Sequence, residues 1–142
     1  MTIANIIANR SADNIIYCDA GDRVKDAVRL LAGKRIGAMP VMERGVVSGI
    51  LSERDVIYRL AEEGSSCLDR TVGEIMTSPA VTVEPGTTID DALALMTKRR
   101  FRHFPVVEDG RLIAFVSIGD MVKNKIDEIQ HEAEAMRVYI QS

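Results

Sequence analysis

Apolar residues follow two alternating patterns along the chain, short β-branched or aromatic runs and stretches with helical spacing. Residues 104–107 and 112–116 are short apolar runs on either side of the polar turn 108–110. This arrangement predicts a β-hairpin of largely buried strands. Gly110 can adopt positive φ in the turn because it lacks a Cβ atom. Ser117 begins the next helical stretch and is the predicted N-cap.

The same pattern occurs twice, at an offset of 65 residues, so that residues 34–55 align with 99–120. The matched pairs include Gly21 with Gly86, Asp26 with Asp91, Pro40 with Pro105, Gly45 with Gly110, Ser52 with Ser117, and Asp55 with Asp120. So many matches at one offset predict two copies of a strand–helix–strand–strand–helix unit. One copy is too small to cover both faces of its sheet, but two copies can cover each other. We therefore expect an α+β protein.

The other elements follow from the same patterns. We predict helices over 2–9, from Asp22 to near Gly33, from Ser52 to about Glu63, over 88–99 and over 119–140, with first strands at 15–18 and 80–83 and a first hairpin over 36–51. Residues 64–66 form the expected linker. We divide the chain into a first repeat with its N-terminal helix (1–66), a second repeat (67–125) and a helical extension (126–142).

The last helix is longer than its counterpart in the first repeat. Its apolar positions alternate in spacings of four and three, which is a heptad seam: Val122, Ile126, Ile129, Ala133, Met136 and Ile140. The helix could fold back on its own domain or pair with a second chain. We favour pairing, in a homodimer, because the seam continues beyond what the repeat needs.

Composition excludes some classes of protein. The 142 residues are 46% hydrophobic with a net charge of −3, which suits one globular domain and argues against general nucleic-acid binding. No apolar run approaches the roughly 20 residues that span a bilayer, so no membrane association is expected. Cys18 and Cys67 stand alone, without metal-ligand spacing, and are predicted to be buried or idle reduced thiols. A cytoplasmic location is the expectation.

Ser-x-x-Asp occurs at both predicted helix starts, Ser52 to Asp55 and Ser117 to Asp120. A helix N-terminus can hold a phosphate, and a first-turn carboxylate suits the two hydroxyls of a ribose. The alternative is an ordinary capping box. Because the motif recurs at the end of each hairpin, we favour a ligand site.

A basic cluster precedes the second hairpin. Residues 98–100 suit a solvated helix end, whereas Arg102 and His103 enter a half-buried strand and call for an anionic partner such as a phosphate. For His103, a role in the core remains an equal alternative. The first repeat has Gly37 and Ala38 at these two positions, with Arg54 as the nearby cation. The two sites should therefore differ.

No pattern of catalytic residues is evident. The sequence contains no supported Ser/His/Asp order, no P-loop and no metal-ligand cluster. We expect a protein that is not an enzyme, with no metal and no catalytic cofactor.

Three motifs, GAMPVMERGVVSGILSERD, FRHFPVVEDGRLIAFVSIGD and EIMTSPAVTVEPGTTIDDALALM, resemble the CBS domain family, and in particular stand-alone tandem pairs. The resemblance covers about residues 3–130. It implies a pseudo-two-fold Bateman module with two small sheets, helices on the outside and two clefts between the repeats. It also implies an adenine-nucleotide ligand, with AMP first and ADP, ATP, NAD(H) or S-adenosylmethionine as alternatives.

The resemblance also implies roles for particular residues. Asp55 and Asp120 would each hold a ribose, and Ser52 and Ser117 would lie near phosphate, with Arg54 and Gly119 beside them. The clefts would be lined by Gly37, Ala38, Met39, Arg102, His103 and Phe104, and adenine would lie on Ile16 and Tyr17 or on Val81 and Thr82.

The leading hypothesis is a non-enzymatic nucleotide sensor, because no chain remains for an effector domain and the output must pass to a separate protein. The alternative is a ligand-free structural or dimerisation module. A third interpretation, nucleic-acid binding through residues 98–103, conflicts with the negative net charge.

Overall fold

The computed structural model describes residues 1–141 and shows a mixed α+β protein with two small sheets. The helices are α1 Ile3–Ile7, α2 Val24–Lys34, α3 Glu53–Glu63, α4 Val72–Ile75, α5 Ile89–Arg99 and α6 Ile118–Gln141. The strands are β1 Cys18–Asp19, β2 Ala38–Glu43, β3 Val46–Ser52, β4 His103–Glu108 and β5 Arg111–Ser117. Two short 3-10 helices cover Ala12–Asn14 and Gly64–Asp69.

Both predicted hairpins are present and carry the same irregularity. Strands β2 and β3 pair antiparallel with a register shift after Val41, and β4 and β5 do so with a shift after Val106. The turn residues Asp109 and Gly110 both have positive φ, at 52° and 78°. Two positive φ values in a two-residue turn match the twist of the flanking strands. The repeated sequence therefore encodes a repeated hairpin.

The first strands of the two repeats are shorter than predicted. In the first repeat, β1 covers only Cys18–Asp19, parallel to β2. In the second repeat, the predicted strand at 80–83 is wrong, because only Val83 pairs with the hairpin, in a single parallel bridge to Val106. The turn at Pro85 begins two residues later and carries the chain away from the sheet.

Helix α2 ends later than predicted. Gly33 lies within the helix, and the left-handed residue that ends it is Arg35, with φ of 53°. Helix α5 ends in the same way at Arg100, with φ of 60°. The amide of Arg35 donates to the carbonyl of Ala32, so the end is closed by local hydrogen bonds without a glycine.

Each repeat has its own hydrophobic core, and each core takes a helix from outside the repeat. Ile3 of α1 is fully buried in the second core, with Ile89 and Phe104. Val72 and Ile75 of α4 are buried in the first core. Backbone hydrogen bonds fix this exchange, since Ile3 donates to Thr87 at 2.9 Å. The division of the chain at residue 66 stays a prediction. Helix α1, which that division assigns to the first repeat, packs on the second repeat.

Helix α6 continues beyond the domain. Its first turns contact α1, α5 and β5, with Met121 buried, but every residue from 129 to 141 is exposed. The alternative in which the helix folds back on its own domain is therefore wrong for this segment. Within residues 1–141, none of the helices combines the length and hydropathy that a bilayer crossing requires.

Candidate functional site

A cavity of about 270 Å³ lies between the two repeats. Its polar and charged lining residues are Ser52, Glu53, Arg54, Asp55, Thr77, Arg100, Arg102 and His103. Its other lining residues are Gly37, Ala38, Ile50, Tyr58, Pro79, Ala80, Val81 and Phe101. The volume is close to the lower end of the range for small-molecule pockets, roughly 300 Å³. We call this space the first cavity.

Asp55 is the acidic group at the start of α3 in the first cavity. Its Oδ2 accepts hydrogen bonds from the backbone amide of Ser52 at 2.9 Å and from the Ser52 hydroxyl at 3.1 Å. The Asp55 amide donates back to the Ser52 hydroxyl at 3.3 Å, so the capping box is formed. The first amide of α3, that of Glu53, donates to the carbonyl of Gly37. Two of the amides expected to face a ligand are thus engaged within the chain.

Thr77 completes the surroundings of Asp55. The Thr77 hydroxyl donates to Oδ1 of Asp55 at 3.0 Å. Two backbone hydrogen bonds of 2.9 Å hold Thr77 against Ile50 of β3. The close approach requires Gly49, since a Cβ atom there would lie 2.7 Å from the Thr77 carbonyl oxygen. A hydroxyl is a neutral donor that can rotate, so this contact brings no positive charge to Asp55 and can give way to another donor.

Positive charge in the first cavity comes from three arginines, of which Arg54 lies next to Asp55 in the sequence. Arg100 and Arg102 both line the cavity. The ring of His103 stacks on Phe115, with centroids 5.4 Å apart and planes 9° apart. Burial lowers the pKa of His103, Asp120 opposes that shift, and Arg102 adds to it. The neutral imidazole is therefore favoured at pH 7, and the cationic groups in the lining are the guanidiniums of Arg54, Arg100 and Arg102.

A second cavity, of about 320 Å³, lies where the repeat symmetry predicts it. It is lined by Asn9, Arg10, Ser11, Asn14, Ile15, Ile16, Ile36, Ala114 and Phe115. Asp120 pairs with Arg10, which lines the cavity, and is not itself part of the lining. Nη2 of Arg10 lies 2.8 Å from Oδ1 of Asp120, and Nη1 lies 3.3 Å from Oδ2. The acid of the second cleft is thus paired within the chain.

The capping box at α6 is also formed. Ser117 donates its amide to Oδ2 of Asp120 at 2.9 Å, and its hydroxyl accepts from the Asp120 amide at 3.2 Å. Burial alone would raise the pKa of Asp120, but hydrogen bonds from Arg10 and Ser117 outweigh it and hold that pKa below its ordinary value. Asp120 is therefore a stabilised carboxylate.

The structure separates the site residues expected from sequence into three groups. At the first cavity lie Gly37, Ala38, Ser52, Arg54, Asp55, Arg102, His103 and Val81. Near the second cavity but outside its lining lie Ser117, Gly119 and Asp120, while Ile16 lines it. Away from both linings lie Met39, Phe104, Tyr17 and Thr82.

Two of these residues were expected to line the clefts with their side chains, and that expectation is wrong. Met39 and Phe104 are fully buried, each in the core of its own repeat, because alternate residues of a strand point to opposite faces of the sheet. Their side chains therefore do not line the clefts. Tyr17 and Thr82 are exposed outside both linings.

Several residues at the two cavities were missed from the sequence, among them Thr77, Arg10 and Arg100. Thr77 and Arg10 have no equivalent in the other repeat, since the positions 65 residues away are Ala12 and Ile75, so the repeat comparison gave no indication of them. Arg100 was assigned to a solvated helix end, but its left-handed conformation ends α5 next to the cavity.

The thiols are buried as predicted, and both are free. Burial, with smaller contributions from Asp22 and Asp19, raises the pKa of Cys18 to about 12. A thiol of this kind is a poor nucleophile at neutral pH. We therefore place Cys18 and Cys67 in the core and outside the site.

The fold and the clefts together define a tandem pair of small α+β repeats that enclose cavities between them. The chain belongs to the CBS domain family, whose model matches residues 7–62 and 72–127. The mitochondrial CBS domain-containing protein CBSX3 of Arabidopsis thaliana is 36% identical over 148 residues, which cover 99% of this chain and 72% of that protein.

Solved structures agree with this assignment. A protein with CBS domains from Burkholderia ambifaria is 38% identical, with a TM-score of 0.82 over 89% of this chain and 95% of its own. A CBS-domain containing protein from Agrobacterium tumefaciens is 32% identical, with a TM-score of 0.82 over 88% of this chain and 99% of its own. The predicted tandem CBS fold is confirmed.

Proposed function

We propose that the protein is a regulatory module that binds an adenine nucleotide, AMP foremost, in the first cavity. The observation that carries the proposal is the set of groups that line that cavity: the carboxylate of Asp55, which forms no ion pair among the described residues, and the guanidiniums of Arg54, Arg100 and Arg102. A nucleotide has a diol that suits the carboxylate and a phosphate that suits the guanidiniums.

Each part of the ligand has a matching group in the first cavity. Asp55 would accept hydrogen bonds from the ribose hydroxyls, and Arg100 and Arg102 would pair with the phosphate. The apolar lining, which includes Val81 and Tyr58, would contact the base. Ser52 would act through its bonds to Asp55 and hold the carboxylate in position.

Proteins of the same fold support this class of ligand. The structure of CBSX2 was determined in complex with AMP, and it matches this chain at 24% identity with a TM-score of 0.75. A CBS domain pair of protein MJ0100 was determined with 5-methylthioadenosine and S-adenosyl-L-methionine, at 22% identity. All three ligands contain adenosine, so ADP, ATP and NAD(H) belong in the same test.

Thermal shift with AMP, ADP, ATP, NAD, NADH and S-adenosylmethionine tests the proposal, because a ligand that binds only the folded state raises the melting temperature. Asp55→Asn keeps the size of the side chain and removes its charge. We expect this variant to weaken AMP binding by roughly 10- to 150-fold, the loss of a charge-assisted hydrogen bond. No shift with any of the six compounds at millimolar concentration would contradict the proposal.

The same proposal includes a role without catalysis, in which the nucleotide changes the relative arrangement of the repeats or of two protomers and a separate effector protein responds. The size of that change is limited by the difference in ligand affinity between the two arrangements.

A ligand-free dimerisation module is the second candidate function, and the exposed seam of α6 favours it. A cytoplasmic location stays a prediction, and the relative CBSX3 is described as mitochondrial.

We also propose that α6 pairs with the same helix of a second copy. The seam residues Val122, Ile126, Ile129, Met136 and Ile140 are 43–74% exposed. An unsupported helix of three turns is marginal in water, so a partner helix would stabilise it. In a parallel pair, Glu132 faces Arg137 of the second copy, and opposite charges at these flanking positions set the orientation.

The antiparallel alternative fits the same seam less well. In the alignment that pairs the whole seam, Lys123 would face Arg137 of the second copy, and Glu132 would face its own equivalent. Like charges in these positions are unfavourable. The charge pattern therefore favours the parallel homodimer.

A further inference from the structure

The second cavity differs from the first in the partner of its acid. Arg10 follows α1, which is fixed on the second core by Ile3. Its guanidinium presents two nitrogens to the two oxygens of Asp120, at 2.8 and 3.3 Å, and also donates to the carbonyl of Phe115 at 3.4 Å. Paired N–H groups on a carboxylate form the stronger, bidentate kind of ion pair.

Among the residues that the structure describes, none makes a comparable contact in the first cavity. The position 65 residues after Arg10 is Ile75, which is buried in the first core. Across residues 1–141, none of the ion pairs involves Asp55. Its partner from outside the capping box is the neutral hydroxyl of Thr77. The two acids match in sequence but differ in local charge.

This difference decides which acid can accept a sugar. A diol that approached Asp120 would have to displace Arg10, exchanging a charged donor for neutral ones and leaving the guanidinium without its partner. A diol that approached Asp55 would displace only a hydroxyl, which can rotate and accept a hydrogen bond in turn. Binding at the second cleft therefore carries a cost that the first does not.

We infer that Arg10 keeps the second cleft closed to nucleotides, so that each chain binds a single nucleotide at the cleft of Asp55. The inference rests on the proposed function and adds a specificity-determining residue to it. It makes Arg10 an internal competitor for the carboxylate that would otherwise hold a second ribose.

Titration calorimetry with AMP tests this inference on the full chain. The parent should bind one AMP per chain, and Asp55→Asn should weaken that binding by roughly 10- to 150-fold. Arg10→Ala and Arg10→Gln should each bind two, because Asp120 is then free to accept a diol. The double variant Asp55→Asn with Arg10→Ala should bind one, at the second cleft. Arg29→Ala, which removes an exposed arginine paired with Asp26, is the matched control and should bind as the parent does.

The outcomes separate the inference from the proposed function. Two AMP per parent chain would overturn the inference and leave the proposed function intact. If the parent binds two AMP and Arg10→Ala binds only one, Arg10 is a phosphate ligand, and the inference is overturned in this case too. An unchanged single site in both Arg10 variants, with parent-like circular dichroism, would overturn it as well. No binding by any variant would overturn the proposed function itself.

Discussion

At the scale of single residues, the two Ser-x-x-Asp motifs show how one sequence pattern can lead to two chemical situations. Both motifs form capping boxes, with Ser-to-Asp contacts of 2.9–3.3 Å. What distinguishes them is the third partner, Thr77 for Asp55 and Arg10 for Asp120. Helix capping and ligand binding are therefore compatible roles for the same acid, and the third partner decides whether a ligand can compete.

Arg102 should discriminate nucleotides from nucleosides. It lines the first cavity, is exposed, and is cationic, whereas the neighbouring His103 favours its neutral form. We expect Arg102→Gln to weaken AMP binding by roughly 3- to 10-fold, the range of a partly solvated ion pair, and to leave adenosine binding unchanged. Calorimetry with both ligands gives the ratio. Lys98→Gln, in the same basic cluster but outside the lining, should alter neither value, and an equal loss for AMP and adenosine would contradict a phosphate contact.

The contact between Arg10 and Asp120 should make a stability contribution that depends on pH. The folded pKa of Asp120 lies below its ordinary value of 3.8. The contribution is therefore present above pH 3.8 and is lost as the pH falls through the folded pKa. We expect Arg10→Ala to be less stable than the parent in urea unfolding at pH 7, with a difference that shrinks below pH 4.

The control for this experiment is Arg29→Ala, since its partner Asp26 is 59% exposed and exposed pairs contribute little. A difference between Arg10→Ala and the parent that stays constant from pH 7 to a pH well below the folded pKa of Asp120 would show that Arg10 acts through packing and not through charge.

At the scale of elements, the parts predicted correctly are those determined by local sequence. The hairpins, the helix caps Ser52 and Ser117 and the helix at Ile89–Arg99 follow from turn residues and periodicity within one repeat. The exchange of α1 and α4 between the cores was not predicted, because it depends on contacts such as Ile3 to Thr87 between distant segments. The same holds for the site residues. Asp55 could be predicted because it lies in a repeated motif, whereas Thr77 could not, because it lies outside any repeated motif.

Gly49 is the position at which an element of the first repeat supports the site. A Cβ atom there would lie 2.7 Å from both the Thr77 carbonyl oxygen and the Met76 sulfur. We expect Gly49→Ala to lower the free energy of unfolding by about 1–3 kcal/mol, the usual cost of overpacking, and to weaken AMP binding because Thr77 is displaced from Asp55. Chemical unfolding and calorimetry measure the two effects.

Gly33→Ala is the opposite case and serves as the control. Gly33 lies within α2, and a Cβ atom there would meet nothing within 4 Å. We expect this variant to gain about 0.5–1 kcal/mol of stability, since alanine favours the helix, with AMP affinity unchanged. Gly49→Ala with parent-like stability and affinity would show that the segment at Thr77 moves without cost.

At the scale of the whole molecule, the chain consists of a pair of family repeats and one additional segment. The family model ends at residue 127, and the two solved relatives cover 88–89% of this chain. The exposed end of α6, residues 129–141, lies entirely beyond that model. The 65-residue repeat pattern predicted the fold of the two repeats because it extends over both of them. The exposed end of α6 lies outside that pattern, and the heptad seam is the separate pattern that describes it.

The pairing of α6 can be tested with two substitutions of similar exposure. Met136 lies in the seam and Val138 lies outside it, and they are 60% and 58% exposed. Met136→Glu would place two carboxylates face to face in the proposed dimer, so we expect dissociation, whereas Val138→Glu should sediment as the parent does. Analytical ultracentrifugation at several concentrations measures both. If a chain ending at Lys125 or the Met136→Glu variant keeps the dimer with unchanged affinity, the contact between protomers lies on the repeats, and the additional helix serves another partner.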